Sequence, residues 1–241
     1  MPFATGNDIT GGITLDLSWL NKSTVAADRS FVSLDTGLTW SDAYKNLSGS
    51  GLSFPGGHCG TTGVGGLTLG GGFSPFTPRV GFVADNVLNY EVVLANGSTV
   101  NANKTANSDL YMALKGGSSN FGVATRFDIS AFENGKLWGG TVINPVSDEA
   151  TTQLLGSLVR YTNDNYFDPD ASLDINFSYN KTAGEPTVTN FITNTAGLDN
   201  TKSLTPFLHN NGLPQLLNTM RFTDIADLAD ESSSLWPKGY R

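Results

Sequence analysis

The chain has 241 residues, a formal net charge of −8 and a pI near 4.6, and this acidity argues against nucleic acid or anionic membranes as partners. Its length suits one large domain or two ordinary ones, and a hydrophobic content of 39% suffices for a packed core. One cysteine excludes an internal disulfide framework, and two distant histidines, His58 and His209, give a metal site no support. No apolar stretch approaches the length of a membrane span, and the N-terminus lacks the pattern of a signal peptide.

The first predicted elements are short. Apolar residues alternate with polar ones over residues 13–17, which predicts a half-buried strand, and Phe31–Leu34 predicts a second one. Ser41 is a suitable N-cap for a short helix, and Gly49 is a plausible stop for it.

A glycine-rich stretch follows, and nine of the seventeen residues from Gly56 to Gly72 are glycine. That content predicts neither a helix nor a strand interior, because glycine loses the most backbone freedom on ordering. No Asp, Glu, Lys or Arg lies between Lys45 and Arg79, so an anionic ligand held here would meet main-chain N–H groups. A flexible linker is the alternative, but apolar residues such as Leu67 and Phe73 favour a buried loop that approaches a ligand.

Strands dominate the following segment. Val87–Leu94 and Ser98–Asn101 are joined through Asn96–Gly97, a strong hairpin signal. Ser108 begins a second short helix, and Val123–Ile129 alternates again. Together these patterns predict an α+β fold.

The pattern changes after the apolar run Leu137–Ile143. Ser147 is a good N-cap for a longer helix. Its predicted apolar side consists of Leu154, Leu155, Leu158 and Val159. Residues 173–179 alternate cleanly and could pair with Thr187–Thr193.

Short helical patterns occupy residues 201–228, and a boundary between two units is expected near residues 135–140. Six Asn-x-Ser/Thr sequons lean toward secretion and glycosylation, and they begin at Asn21, Asn46, Asn96, Asn103, Asn176 and Asn180.

The run from Pro55 to Gly72 resembles the second flavin-embracing loop of FAD-linked oxidases of the berberine bridge enzyme-like group. These enzymes belong to the larger vanillyl-alcohol oxidase/PCMH flavoprotein superfamily. Further blocks match in the family's order and spacing, over residues 78–81, 85–97, 107–111 and 115–127.

The resemblance implies a PCMH-type FAD-binding domain over residues 1–136, missing its first subdomain, and the start of an antiparallel-sheet substrate domain over residues 137–241. It also implies FAD as cofactor and hydride transfer from a carbohydrate, another small-molecule alcohol or an amine-adjacent carbon. Dioxygen is the expected electron acceptor. The sequons look most like those of secreted fungal members, which implies an extracellular location.

The resemblance assigns cofactor contacts to two blocks of residues. The first comprises Cys59, Gly60, Thr61, Gly63, Val64, Gly65, Gly66 and Gly70, and the second Asn120, Phe121, Gly122 and Val123. Cys59 falls where bicovalent members form a thioether to the flavin, and the alternative is a small buried cysteine that only packs. His58 is expected to be structural or to line a cavity, and His209 to lie on the surface.

Two departures from the family pattern stand out. Met1–Asn7 resembles the residues directly after a Gly-Gly-His motif that wraps the pyrophosphate, so the first FAD subdomain is expected to be absent. The family's general base lies downstream of the position of Arg241, so it is expected to be absent too. A catalytically inactive remnant and a glycine-rich binding module without flavin therefore remain as alternatives.

Overall fold

A computed structural model describes residues 10–163, 168–180, 184–208 and 214–235. The first half contains an antiparallel sheet of five strands in the order β1-β2-β6-β4-β5. Its strands are β1 (Ser23–Val25), β2 (Phe31–Asp35), β4 (Val87–Val93), β5 (Thr99–Asn103) and β6 (Val123–Ser130). Two short strands, β3 (Leu52–Ser53) and β7 (Phe132–Glu133), pair with each other beside it.

The predicted hairpin around Asn96–Gly97 is confirmed as β4–β5. Leu94 N–H donates to Ser98 O at 2.9 Å, and Gly97 has a φ of 81°, which only glycine adopts without strain. The predicted strands at Phe31–Leu34 and Val123–Ile129 are confirmed as β2 and β6. Alternate residues of β2, Val32 and Leu34, are buried in the hydrophobic core of the first half, here called the first core. In β6 the core residues are Ala124, Phe127 and Ile129, because a register shift opposite Glu91 and Val92 interrupts the alternation.

Short helices pack on this sheet. They are α1 (Trp40–Lys45), α2 (Val64–Leu69), α3 (Thr77–Val80), a 3₁₀ turn at Val83–Asn86, and α4 (Ser108–Leu114). The N-cap of α1 is Thr39 and not Ser41, because the Thr39 hydroxyl accepts from Asp42 N–H at 3.3 Å. Ser41 lies inside the helix and donates to Asp230 instead, and the helix ends at Asn46, before Gly49.

The strand predicted over residues 13–17 is wrong. The segment carries no regular secondary structure, and Ile13 and Leu15 are 86% and 61% exposed. A strand requires a neighbour to accept and donate its backbone hydrogen bonds, and none of the described strands pairs with these residues.

The second half contains another antiparallel sheet, in the order β11-β8-β10-β9, with β12 also paired to β8. Its strands are β8 (Leu137–Pro145), β9 (Ala171–Asn180), β10 (Glu185–Asn194), β11 (Leu217–Asn218) and β12 (Arg221–Thr223). The predicted pairing of residues 173–179 with Thr187–Thr193 is confirmed, with Ile175 opposite Asn190. The α+β architecture expected from the sequence is therefore present in both halves.

Two helices cover one face of the second sheet, α5 (Asp148–Asn163) and α6 (Thr205–Leu208). Ser147 caps α5 as predicted, since its hydroxyl accepts from Ala150 N–H at 3.1 Å. The predicted apolar side of α5 is partly wrong, because Leu155 and Val159 are 43% and 55% exposed while Leu154 is buried. Two adjacent positions such as 154 and 155 point in different directions around a helix.

The last helix, α7 (Ile225–Leu235), leaves the second sheet and packs into the first core. Ile225, Ala226 and Ala229 are buried there among residues of the first half. Arg79 also joins the halves, because its guanidinium donates to Asp170 Oδ1 at 3.1 Å. Gly60 N–H of the glycine-rich run donates to Ala229 O of α7 at 3.0 Å, so the run lies against residues from both halves of the chain.

Candidate functional site

The segment Pro55–Gly60, here called the packed segment, is enclosed by its own chain. A Cβ atom at Gly56 would stand 2.4 Å from the Trp40 ring, and one at Gly57 would stand 2.8 Å from the same ring. Tyr44 Oη donates to Gly57 O at 3.1 Å. Glycine is therefore required here because aromatic side chains already occupy the space.

The run then forms helix α2, which the glycine content argued against. Val64 N–H donates to Leu38 O at 2.9 Å, and Val64 and Leu69 are buried in the first core. This packing outweighs the poor helix propensity of glycine over so short a helix. A Cβ at Gly65 would stand 2.2 Å from Thr36 Oγ1, so Gly65 faces inward, against the β2–α1 connection.

One face of α2 has no covering within the described residues. A Cβ at Gly63 or Gly66 would meet no atom within 4 Å, and one at Gly70 would meet only carbonyls of the preceding turn. These three glycines, here called the open face, are spaced three and four residues apart and so lie on one side of the helix. Packing within the described chain explains the packed segment and Gly65, but it does not explain glycine on the open face.

The second predicted block meets α2 at its C-terminal end. Ser118 N–H donates to Leu69 O at 3.0 Å, which places the turn before Asn120 beside the open face. Asn120 is exposed and donates to Gly117 O, and Phe121 is 43% exposed.

The remaining residues of this block serve the sheet. Gly122 has a φ of 139°, and a Cβ there would stand 2.7 Å from Val93 O, so the strand itself requires this glycine. Val123 begins β6. The structure thus brings Gly70 and the Ser118–Phe121 turn together, whereas Gly65 and Gly122 face inward.

Cys59 lies half-buried at the end of the packed segment. Its Sγ is 3.6 Å from Thr61 Oγ1 and 3.7 Å from Ser233 Oγ of α7. Burial raises the pKa of the thiol, but hydrogen bonds from Thr61, Thr62 and Ser233 outweigh it and lower the pKa of Cys59 overall. Such an environment favours the thiolate, which is the nucleophilic form.

His58 lines a small cavity between the two halves, in keeping with its predicted cavity-lining role. Thr141, Phe191 and Glu231 line the same cavity. The imidazole Nε2 is 3.8 Å from Asp174 Oδ2. Burial lowers the pKa of His58, and the nearby Asp174 carboxylate opposes that shift only in part. His209 lies outside the described residues.

A second cavity is larger than the one beside His58. It has a volume of about 290 Å³, and Tyr44, Phe54, Leu137 and Ile225 are among the residues that line it. None of the predicted cofactor contacts lines it, and an extended dinucleotide is too large for it. The open face therefore remains the candidate cofactor surface.

Two further classes of site receive no support from the described ranges. They contain no group of three or more His, Cys, Asp and Glu residues placed to hold a metal ion. Their helices are all too short or too polar to cross a membrane.

Residues 3–103 match a protein family described as the FAD binding domain. Residues 3–103 thus carry an FAD binding domain. FAD is accordingly its cofactor.

The flavoprotein is 36% identical over 238 residues to the FAD-dependent monooxygenase tpcD of Cochliobolus heterostrophus, covering 98% of this chain and 46% of that protein. It is 43% identical over 188 residues to the FAD-dependent monooxygenase prx3 of Penicillium roqueforti, covering 77% of this chain and 36% of that protein. The chain thus spans about half or less of the length of these curated relatives.

Solved structures support the same fold. The flavoprotein superposes on 6-hydroxy-D-nicotine oxidase from Arthrobacter nicotinovorans with a TM-score of 0.81 and 23% identity, over 96% of this chain and 51% of that one. It also matches the VAO-type flavoprotein MtVAO615 from Myceliophthora thermophila C1, with a TM-score of 0.69 and 26% identity, over 93% of this chain and 42% of that one. The fold is the PCMH-type FAD-binding fold expected from the sequence.

The described residues of the flavoprotein fit a flat cofactor at the open face. A side chain at Gly63 or Gly66 would project into space that no described atom fills, so a ring system could lie against the bare backbone there. Two participants were missed by sequence reasoning, Ser118 and Ser233. Both act through tertiary hydrogen bonds, and no local pattern marks them.

Proposed function

We propose that the protein oxidises a small organic molecule, an alcohol or an amine-adjacent carbon, with FAD as the hydride acceptor and dioxygen as the final electron acceptor. When bound, FAD supplies the redox chemistry by accepting two electrons from the substrate and passing them on. The match of residues 3–103 to an FAD binding domain and the similarity to FAD-dependent monooxygenases support the redox class. The observation that carries the site is the open face, because its glycines have no packing reason within the described chain.

The chain's own residues would bind and orient the cofactor. Gly63, Gly66 and Gly70 permit close approach of a flat ring, and the Ser118–Phe121 turn forms a neighbouring wall. Cys59 would supply a sulfur for covalent attachment, since its neighbouring hydroxyls favour the thiolate. The backbone N–H groups of Gly60 and Thr61 already donate to α7, so these two residues would contact the cofactor through other atoms.

The second sheet would supply the substrate side. The face opposite α5 and α6 carries polar side chains at alternate positions of β9, including Asp174 and Asn176, and these are half-exposed. Asp174 approaches His58 of the glycine-rich run, so this face lies next to the packed segment. A polar face at that place would orient a hydroxyl- or amine-bearing substrate through hydrogen bonds.

Acid precipitation of protein incubated with FAD tests this proposal. We expect flavin absorbance to remain in the precipitate of the parent protein and to appear only in the supernatant for Cys59→Ala. Leu155→Ala serves as a control on an exposed position of α5, and it should keep the precipitate coloured. Failure of the parent protein to bind FAD would refute the cofactor surface, whereas binding with complete release by acid would refute only the tether.

A further inference from the structure

Helix α7 holds the backbone directly after Cys59. Gly60 N–H donates to Ala229 O at 3.0 Å, and Thr61 N–H donates to Ser233 Oγ at 3.0 Å. Ala229 and Ser233 are four residues apart and therefore lie on the same side of the helix. Two consecutive amides of the glycine-rich run are thus fixed by a helix that is distant in sequence.

The Ser233 hydroxyl is placed to serve both protonation states of Cys59. Its Oγ is 2.8 Å from Ala229 O and 3.7 Å from Cys59 Sγ. A hydroxyl has one proton and two lone pairs, so it can donate to Ala229 O while it accepts from the thiol. When the thiol ionises, the same proton can turn toward the sulfur while Thr61 N–H still holds the oxygen.

Charged groups on the neighbouring elements are engaged elsewhere. Lys45 of α1 pairs with Asp230 of α7 at 2.7 Å, and His58 faces Asp174. Two further carboxylates have their own partners: Asp42 accepts from Thr39 Oγ1, and Glu231 accepts from Arg221. Hydroxyl groups therefore determine the local environment of the sulfur more directly than charges do.

We propose that Ser233 is a positioning residue for Cys59, which holds the Cys59–Thr61 backbone and presents a hydroxyl proton to the sulfur, so that docking of α7 completes the reactive thiol. This inference rests on the proposed role of Cys59 toward FAD. It adds that the second half of the chain prepares a group of the first half for its chemistry.

Alkylation kinetics test the proposal without FAD. The chain has a single cysteine, so iodoacetamide reports on Cys59 alone. The thiolate sulfur forms a bond to carbon as the carbon–iodine bond breaks, iodide leaves, and the thiol proton goes to solvent. We expect Ser233→Ala to slow alkylation at pH 7 by about threefold to tenfold, because a smaller fraction of the thiol is ionised.

The pH–rate profile separates ionisation from access. Loss of the hydroxyl should move the midpoint to higher pH, whereas a mere change in access would alter the plateau at high pH. Ser233→Thr should restore the midpoint. Ser234→Ala is the matched control, because Ser234 Oγ donates to Glu231 O, and it should leave the profile unchanged.

An unchanged midpoint in Ser233→Ala, or an equal shift in Ser234→Ala, would overturn the proposal. Should Ser233→Ala fail to fold by circular dichroism, the parent protein decides the question alone. Its midpoint must then lie below that measured in urea, and an equal or higher value would overturn the proposal. Separate FAD titration tests the proposed function, so the two failures are distinguishable.

Discussion

The packed segment and the open face both contain several glycines, but these glycines have different surroundings. At Gly56 of the packed segment, a Cβ would collide with the ring of Trp40, which is fully buried. At Gly66 of the open face, a Cβ would meet no described atom within 4 Å. Glycine is therefore a requirement of the fold in the first place, and in the second we attribute it to the cofactor of the proposed function.

The difference provides a way to separate stability from cofactor binding. A substitution at Gly56 or Gly57 of the packed segment must disturb the core, because Trp40 and Tyr44 cannot move aside. A substitution on the open face adds atoms outside the described core, so only a molecule bound there would be displaced.

The largest effect is expected for Gly56→Ala. The added methyl group overlaps the Trp40 ring at 2.4 Å, and such overpacking costs about 3 kcal/mol. Urea unfolding followed by circular dichroism measures the loss. Gly135→Ala is the control, since a Cβ there meets nothing within 4 Å and its φ is not positive, and a similar loss in both variants would contradict the assignment.

Gly66→Ala should raise the free energy of unfolding of the unliganded protein and weaken its binding of FAD. Replacing a helical glycine by alanine stabilises the unliganded fold by about 1 kcal/mol, because alanine has the higher helix propensity. The same methyl group would stand between the open face and the flavin and weaken FAD binding by about tenfold, which corresponds to about 1.4 kcal/mol. Quenching of flavin fluorescence on titration measures the affinity.

Gly156→Ala on α5 is the matched control for that variant. Its Cβ would make only an ordinary contact with Arg160 at 3.8 Å, so the stability gain should be similar. FAD affinity should stay at the parent value. Equal FAD affinities for Gly66→Ala and Gly156→Ala would show that the open face does not contact the cofactor.

The smallest expected effect is the contribution of His58 to the pH dependence of the free energy of unfolding. Burial lowers the pKa of His58 in the folded state, so the unfolded state binds the proton more readily. Stability is then fully present above the pKa of an unfolded histidine and falls as the pH drops toward the folded pKa. The side chain is about one-third exposed, so solvent screening keeps the effect well under about 1 kcal/mol.

Urea midpoints at pH 7.5 and pH 5 measure this dependence. The difference between the two midpoints should shrink in His58→Gln, which retains polar character without titrating in this range. Asn134→Gln provides a polar control that removes no titrating group. If the difference between the two midpoints is the same in the parent and in His58→Gln, burial in the packed segment does not disfavour the protonated form of His58.

Local patterns predicted much of the fold. Alternating residues indicated β2, β6 and β9, and Asn96–Gly97 indicated the β4–β5 hairpin, because each signal depends on neighbours in sequence. The strand over residues 13–17 was wrong because the same alternation has no described partner strand. Helix α2 was missed because its stability comes from buried Val64 and Leu69 and not from propensity.

The candidate site was only partly accessible from sequence. The glycine run and the residues around Asn120 were predicted to share a cofactor site, and the structure brings the two segments together through Ser118 and Leu69. Which glycines face outward depends on the positions of Thr36 and Trp40, and these positions are set by tertiary packing and not by the local sequence. The contact between Ser233 and Cys59 joins residues that are 174 positions apart in sequence, so no local sequence pattern predicts it.

The placement of α7 has a consequence for biosynthesis. Ile225, Ala226 and Ala229 of α7 belong to the first core. During synthesis the first core therefore stays incomplete until α7 has emerged from the ribosome. The second sheet must therefore be synthesised before the first is closed. A nascent chain halted at residue 220 should be cleaved by protease near Cys59 much faster than a chain in which α7 has emerged from the ribosome, and equal rates would contradict this order of assembly.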